Sequence, residues 1–437
     1  MSEANYSRLT AQGNGVPQGA GPLDPEPAKP VRPRLDSIDL LRGIVMVIMM
    51  LDHTRDYLHS GALLFDPLDL SKTTVWLFLT RWITHYCAPV FVFLAGTGAY
   101  LQFARGKSKR ELSRFLITRG LWLIILEVTV VRAAAFFNLD PRFLVFLQVI
   151  WVIGFSMIVL AALIHLPMPA VAGFGLIMIA VHNYFDRFPA TPWQGPGTPV
   201  PGWGAKLWML LHQPGLFPVG PTFPSPMVFI LYPLIPWIGV LAAGYAFGSL
   251  YQKDLNARRR QLLLIGATAI VLFVLVRAID MYGEPLHWKQ RKNVVFTILS
   301  FINTTKYPPS LDYLLMTLGP AILALAFFEM KSGATLVTGS AIGRFFITFG
   351  RVPLFYYVLQ WVTSHLIAVG LHAAFGKPVR WLFQTPVSWF TNPPQGNGFS
   401  LVVVYLSWIA GVLILYPLCK WFAGVKARRR DWWLSYL

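Results

Sequence analysis

The chain has 437 residues, 55% of them hydrophobic and 13% charged, with a mean hydropathy of +0.54. A soluble domain carries about 25% charged residues, so this composition excludes an ordinary soluble enzyme and predicts an all-α, polytopic integral membrane protein. The net charge of +18 does not imply a nucleic-acid partner, because the basic residues stand in short clusters between apolar stretches, where they orient membrane spans.

Residues 1–36 are rich in Pro, Gly and polar residues and read as a disordered cytoplasmic tail. A membrane domain is expected over 37–424, followed by a basic cytoplasmic tail at 425–437. Apolar periodicity predicts about ten transmembrane helices, at 38–59, 74–104, 114–136, 143–165, 168–184, 226–250, 261–281, 311–330, 345–373 and 399–422. Pro89 and Pro353 fall inside the second and ninth spans, and each frees a backbone carbonyl in its helix. With ten spans, all five basic clusters lie on the side of the N-terminus: Arg32/Arg34, Arg105–Arg110, Lys253 with Arg258–Arg260, Lys331/Arg344 and Lys426–Arg430. Both termini are therefore expected to be cytoplasmic. The opposite side receives the long loops 185–225, 282–310 and 374–398, which suit either a cover over a site or plain connectors. Cys87 and Cys419 are the two cysteines, each within or at the end of an apolar span. They predict neither a disulfide framework nor a metal site.

The first span holds Arg42, Asp52, His53, Arg55, Asp56 and His59 around an apolar run. Ionisable groups at membrane depth cost several kcal/mol unless they face a cavity or a partner. Arg42 and His53 stand eleven residues apart, which places them within about 20° in azimuth and about 16 Å along the axis. Arg42 lies toward the cytoplasm and His53 toward the far side. A cation at one end can hold phosphates, and a neutral His at the other can take a proton from a hydroxyl or amine. Coenzyme A thioesters, long and phosphorylated with a reactive tip, fit that spacing. Asp52, Asp56 and His59 form a neighbouring stripe, and either carboxylate can orient His53. Arg55 and His59 equally fit a helix end emerging into water. His53 and His59 point about 120° apart, so no metal site is predicted from this helix.

The second span carries Arg81 and His85 on one face. His85 is a further candidate active-site residue, or a histidine satisfied by its own helix. Arg42, Arg81 and Arg351 are the candidate contacts to the phosphates of a cofactor. Glu127 and Arg132 read as a buried structural pair, and Arg277 with Asp280 as a local pair. Gly96-Thr97-Gly98 reads as close helix packing. The same buried charges fit a proton- or ion-coupled transporter, although no internal repeat is visible. They also fit a structural component whose polar groups only join helices.

Several stretches resemble a large bacterial family. They are Arg34-Leu-Asp-Ser-Ile-Asp-Leu-Leu-Arg-Gly43, Leu51-Asp-His-Thr-Arg-Asp56, Ala88-Pro-Val-Phe-Val-Phe-Leu-Ala-Gly-Thr97, Asn303-Thr-Thr-Lys-Tyr-Pro-Pro-Ser310 and Phe349-Gly-Arg-Val-Pro-Leu-Phe355. The family is that of heparan-alpha-glucosaminide N-acetyltransferase catalytic-domain-like proteins, within the wider group of transmembrane acyltransferases. The resemblance runs across essentially the whole chain after residue 36. It implies acyl-CoA, in the first instance acetyl-CoA, bound from the cytoplasm. It also implies transfer to a sugar on the far side, and a bacterial cytoplasmic (inner) membrane location. The spacing of Arg42 and His53 matches a basic residue and His in the first helix of the wider group. The resemblance would also place a catalytic His in the connection after the first span. Residues 60–72 contain none, so His53 or His59 takes the role, or the chemistry is altered. Expected partners are acyl-CoA, a sugar or glycan acceptor and the lipid bilayer, with a homodimer left open.

Overall fold

The computed structural model describes residues 35–140, 142–223, 225–329, 338–385, 388, 396–429 and 431–436. The expected N-terminal tail lies outside the described residues apart from Leu35 and Asp36, and so do Lys331 and Arg430. Helix α1 (Asp36–Leu58) has Asp36 and Asp39 in its first turn and Arg55 in its last, charges that complement the helix dipole at both ends. Helices α2 (Val75–Ile83) and α3 (Cys87–Ala104) are joined by a tight turn at Thr84–Tyr86, where Pro89 withholds the amide that would continue the ladder. Helix α4 (Lys109–Leu126) opens on a capping box of Ser108 and Glu111. It passes through a π-helical segment, Glu127–Val131, into α5 (Arg132–Phe136).

Next come β1 (Phe143–Leu147), α6 (Val149–Leu163), α7 (Met168–Val181), α8 (Trp203–Leu211), β2 (Gly215–Pro218), β3 (Met227–Ile230) and α9 (Trp237–Gly248). The chain ends with α10 (Leu255–Ile279), α11 (Val294–Ile302), α12 (Leu311–Phe328), α13 (Ala341–Arg351), α14 (Pro353–Ala374) and α15 (Leu401–Arg428). Among the described residues, six helical stretches are long and apolar enough to cross a membrane: 75–104, 168–187, 255–279, 311–328, 353–374 and 401–428. The protein is thus a multi-pass integral membrane protein, and the remaining helices are either more charged (α1, α4) or shorter (α6, α9).

Two expected spans are corrected at their starts. Residues 143–147 and 227–230 are strands rather than helix, and with β2 they form a sheet of order β1-β3-β2, parallel between β1 and β3 and antiparallel between β2 and β3. Short apolar runs rich in aromatic and β-branched residues carry no period that separates strand from helix. Pro233 and Pro236 then delay α9. The ninth expected span is two helices, broken at Val352, with Pro353 opening α14 as proline does at a first helical position.

Helix α1 is the centre of the bundle and packs against α3, α13, α14 and α15. Its approach to α13 is close: a Cβ at Gly43 would stand 1.8 Å from the Phe346 carbonyl oxygen, and one at Gly350 would stand 1.8 Å from that of Asp39. Helices α3 and α9 meet in the same way through Gly96 and Gly244, and Thr97 Oγ1 donates to the Gly244 carbonyl at 3.0 Å. These contacts let backbones touch where lipid supplies no hydrophobic drive to associate.

Candidate active site

The far end of α1 borders a cavity of about 320 Å³. His53 lies on its wall, and the His53 ring stacks on Trp361 of α14 with centroids 3.6 Å apart and planes 18° apart. His53 Nδ1 stands 3.0 Å from Oε1 of the fully buried Gln360. An amide oxygen only accepts, so Nδ1 donates and Nε2 is left as the acceptor of the ring. The group holding His53 is therefore an amide from a helix 307 residues away, where Asp52 or Asp56 had been expected.

The two aspartates serve cations instead. Asp52 meets Arg81 at 2.5 Å and Arg55 at 2.9 Å, and Arg55 meets Asp56 at 2.6 Å. Arg55 is not at a solvated helix end: its side chain is only 4% exposed, whereas that of Asp56 is 43% exposed. Each charge in the chain Arg81–Asp52–Arg55–Asp56 faces an opposite one, which is what makes burial of Arg81, Asp52 and Arg55 tolerable. All four also line the cavity. Arg81 thus sits at the depth of Asp52, about 15 Å along α1 from Arg42, and the structure does not group it with Arg42 and Arg351.

A second cavity, of about 450 Å³, adjoins the first through shared walls at Asp66, Arg81, Lys306 and Tyr307. His85 borders this second cavity, fully buried, with neither ring nitrogen hydrogen-bonded among the described residues. The Tyr313 hydroxyl donates to its carbonyl at 2.7 Å and the two rings meet edge-on. His59 borders neither cavity: its Nδ1 accepts from the Gly61 amide at 3.1 Å, and its backbone bridges to Phe399.

Lys306 and Tyr307 of the shared wall come from the loop after α11. Glu284 is buried and gathers the Thr305 hydroxyl and amide, the Ser310 hydroxyl at 2.6 Å and the Leu286 amide at 3.1 Å. Burial raises its carboxyl above the ordinary value in spite of those bonds. Arg277, expected to form a local pair, lies 3.6 Å from Asp280. It also donates to four carbonyls, those of Phe301, Leu286, Ser300 and Asn303, at 2.8 to 3.1 Å. Between these anchors Lys306 and Tyr307 reach the cavities. Burial alone would raise the Tyr307 phenol, but the Lys306 and Arg81 charges hold it below its ordinary value.

Glu127 does not pair with Arg132. Its Oε2 accepts from the Trp151 amide at 3.0 Å, in the first turn of α6, and Arg132 donates to the Asp140 carbonyl at 2.5 Å. A carboxylate at a helix N-terminus meets both the free amides and the positive end of the dipole.

At the other end of α1, Arg42 donates to Asp39 at 3.2 Å and to the Gly350 carbonyl at 3.0 Å. Arg351 meets Asp36 at 3.3 Å, and Arg119 of α4 is close enough to Arg42 for their charges to interact. This cationic end lines neither of the two cavities. Among the described residues no cluster of three or more His, Cys, Asp and Glu could hold a metal ion.

Sequence reasoning missed Gln360, which holds His53, and the wall residues Trp361, Lys306 and Tyr307. The resemblance through Asn303–Ser310 was the only signal pointing to two of them. No curated protein matches the chain. Residues 34–278, more than half of the chain, match the family model described as heparan-alpha-glucosaminide N-acetyltransferase, catalytic, and the chain belongs to that family of membrane acetyltransferases.

Proposed function

We propose that this protein moves an acyl group, acetyl in the first instance, from cytoplasmic acyl-CoA to a hydroxyl or amine of a sugar or envelope glycan on the far side of a bacterial cytoplasmic membrane. The observation that carries the reading is His53, fixed through Nδ1 by Gln360 and left with Nε2 as acceptor on the wall of a cavity. In the proposed topology the chain crosses ten times: α1, α2–α3, α4–α5, α6, α7, α9, α10, α12, α13–α14 and α15. An even number of crossings puts both termini and the basic clusters in the cytoplasm, and the loop that bears Lys306 on the far side.

Arg42, with Arg119 and Arg351 nearby, would then face the phosphates of the donor. The thioester would reach His53 about 16 Å along α1. His53 Nε2 takes the proton of the acceptor hydroxyl or amine as its oxygen or nitrogen attacks the thioester carbon. The carbon–sulfur bond breaks, and the proton on His53 passes to the departing CoA thiolate. Transfer through an acyl-His53 intermediate uses the same nitrogen. Arg55 and Arg81, paired with Asp52 and Asp56, keep the two carboxylates from holding His53 as an imidazolium. Asp52, Asp56, His85 and His59 are thereby assigned to support around His53, with His59 the outermost. The membrane domain of 37–424 carries the whole reaction.

Purified protein in lipid nanodiscs with radiolabelled acetyl-CoA tests the reading. Release of CoA in the wild type, abolished in His53→Ala, is expected. A folded protein that neither binds nor cleaves acetyl-CoA would refute it.

A further inference from the structure

The second cavity has an electrostatic character that acyl transfer alone does not require. Four cations, Arg81, Arg277, Arg291 and Lys306, stand on its wall against two carboxylates, Asp66 and Asp69. Arg81 is taken by Asp52, and Arg277 by backbone carbonyls. Both carboxylates are also engaged: Asp66 accepts from the Leu68 amide at 2.9 Å, and Asp69 accepts from Ser71 and faces Lys72.

Lys306 differs from the rest. It is 8% exposed, yet no carboxylate among the described residues comes within 4.0 Å of its ammonium. Its ammonium stands over the face of the Tyr307 ring, 5.2 Å from the centroid. Asp52, whose carboxylate feels the Lys306 charge, is already held by Arg81 and Arg55, so that charge is only partly compensated. The position of Lys306 is nonetheless rigidly set, because Thr305 and Ser310 on either side are bonded to Glu284. Arg291 on the outer wall likewise has no carboxylate partner among the described residues, and it is exposed. Lys306 borders both cavities, so an anion bound beside it lies next to the space in front of His53.

We propose that the second cavity is an anion subsite, in which Lys306 and Arg291 hold a carboxylate or phosphate carried by the acceptor sugar, so that the acceptors are acidic. The word acceptor rests on the acyl-transfer reading, whereas the anion site itself does not. A fixed cation on the wall of a cavity recognises an anion by charge and position. It also draws the sugar inward until a neighbouring hydroxyl or amine reaches His53.

Calorimetric titration in zwitterionic nanodiscs, without acyl-CoA, tests the site. The probes are methyl glucuronide and glucose 6-phosphate against methyl glucoside. The two acids are expected to bind roughly tenfold or more tightly than the neutral sugar, the scale of one charge-assisted hydrogen bond. The difference should shrink in high salt, fall in Lys306→Met and in the exposed Arg291→Ala, and survive in Lys306→Arg. Equal binding of acidic and neutral sugars would overturn the proposal, and so would a difference untouched in both charge-removing variants. Displacement of the acids by phosphatidylglycerol in the nanodisc would overturn it too, by giving the site to a lipid headgroup. Acetyl transfer to the same sugars separates the two readings. Charge-dependent binding without any transfer would sink the acyltransferase while leaving the anion site. Transfer with equal KM for acidic and neutral sugars would do the reverse.

Discussion

Gln360→Leu is the sharpest perturbation of the proposed base. It removes the oxygen 3.0 Å from His53 Nδ1 and leaves the stacking on Trp361 in place. The lost hydrogen bond is worth about 1 kcal/mol, and the orphaned buried N–H costs about 1–3 kcal/mol more. His53 escapes part of that cost by moving its proton to Nε2, which is then no longer an acceptor. A preference of about 1.4–2.7 kcal/mol for the wrong tautomer lowers kcat roughly 10- to 100-fold. KM for acetyl-CoA should stay within about twofold, because Arg42 lies about 16 Å away along α1. The assay is CoA release in nanodiscs, with thermal unfolding as the control for folding. Wild-type kcat in Gln360→Leu, alongside a dead His53→Ala, would refute the idea that Gln360 sets the tautomer.

Gly43→Ala places a methyl 1.8 Å from the Phe346 carbonyl and should force α1 from α13, costing about 1–3 kcal/mol as overpacking does. Alanine at Gly98, inside α3 where nothing lies within 4 Å, should not lower the thermal midpoint. Arg81→Met removes one of the two cations on Asp52 and should destabilise by about 3–5 kcal/mol. Thermal unfolding should show part of the loss restored when Asp52→Asn is added. Glu284 has a raised carboxyl value, so the native state holds its proton to higher pH than the unfolded chain does. That contribution is present at low pH and lost as pH rises through the raised value. Glu284→Gln, neutral throughout, should flatten that part of the curve of thermal midpoint against pH, and an unchanged curve would refute it.

Much of the scaffold could be read from the sequence because lipid imposes a simple rule. Stretches such as 255–279 and 401–428 are apolar enough to have no other home. Arg42 and His53 were legible as a pair because both lie on one helix, where geometry follows from counting residues. The orienting amide was not, because Gln360 meets His53 only through packing of the first helix on the fourteenth, and nothing local distinguishes it from any other buried glutamine. Arg55 misled for a similar reason: at a helix end, burial depends on what the rest of the chain packs over it, and Arg55 is 4% exposed. The strands at 143–147 and 227–230 were hidden inside runs whose apolar content alone resembles a span.

The ion chain on α1 also bears on the order in which the protein is made. Helix α1 emerges first, yet Arg81, which completes the neutralisation of Asp52, lies 29 residues on, and Gln360 lies 307 residues beyond His53. At about 5–20 residues per second, synthesis of that stretch takes roughly 15–60 s. Through that interval the far turn of α1 carries polar groups without their final partners, which is costly wherever that turn meets hydrocarbon. Helix α1 therefore settles only once α14 has been made, and a nascent chain ended before α14 should leave His53 more open to aqueous histidine-modifying reagents than the finished protein does.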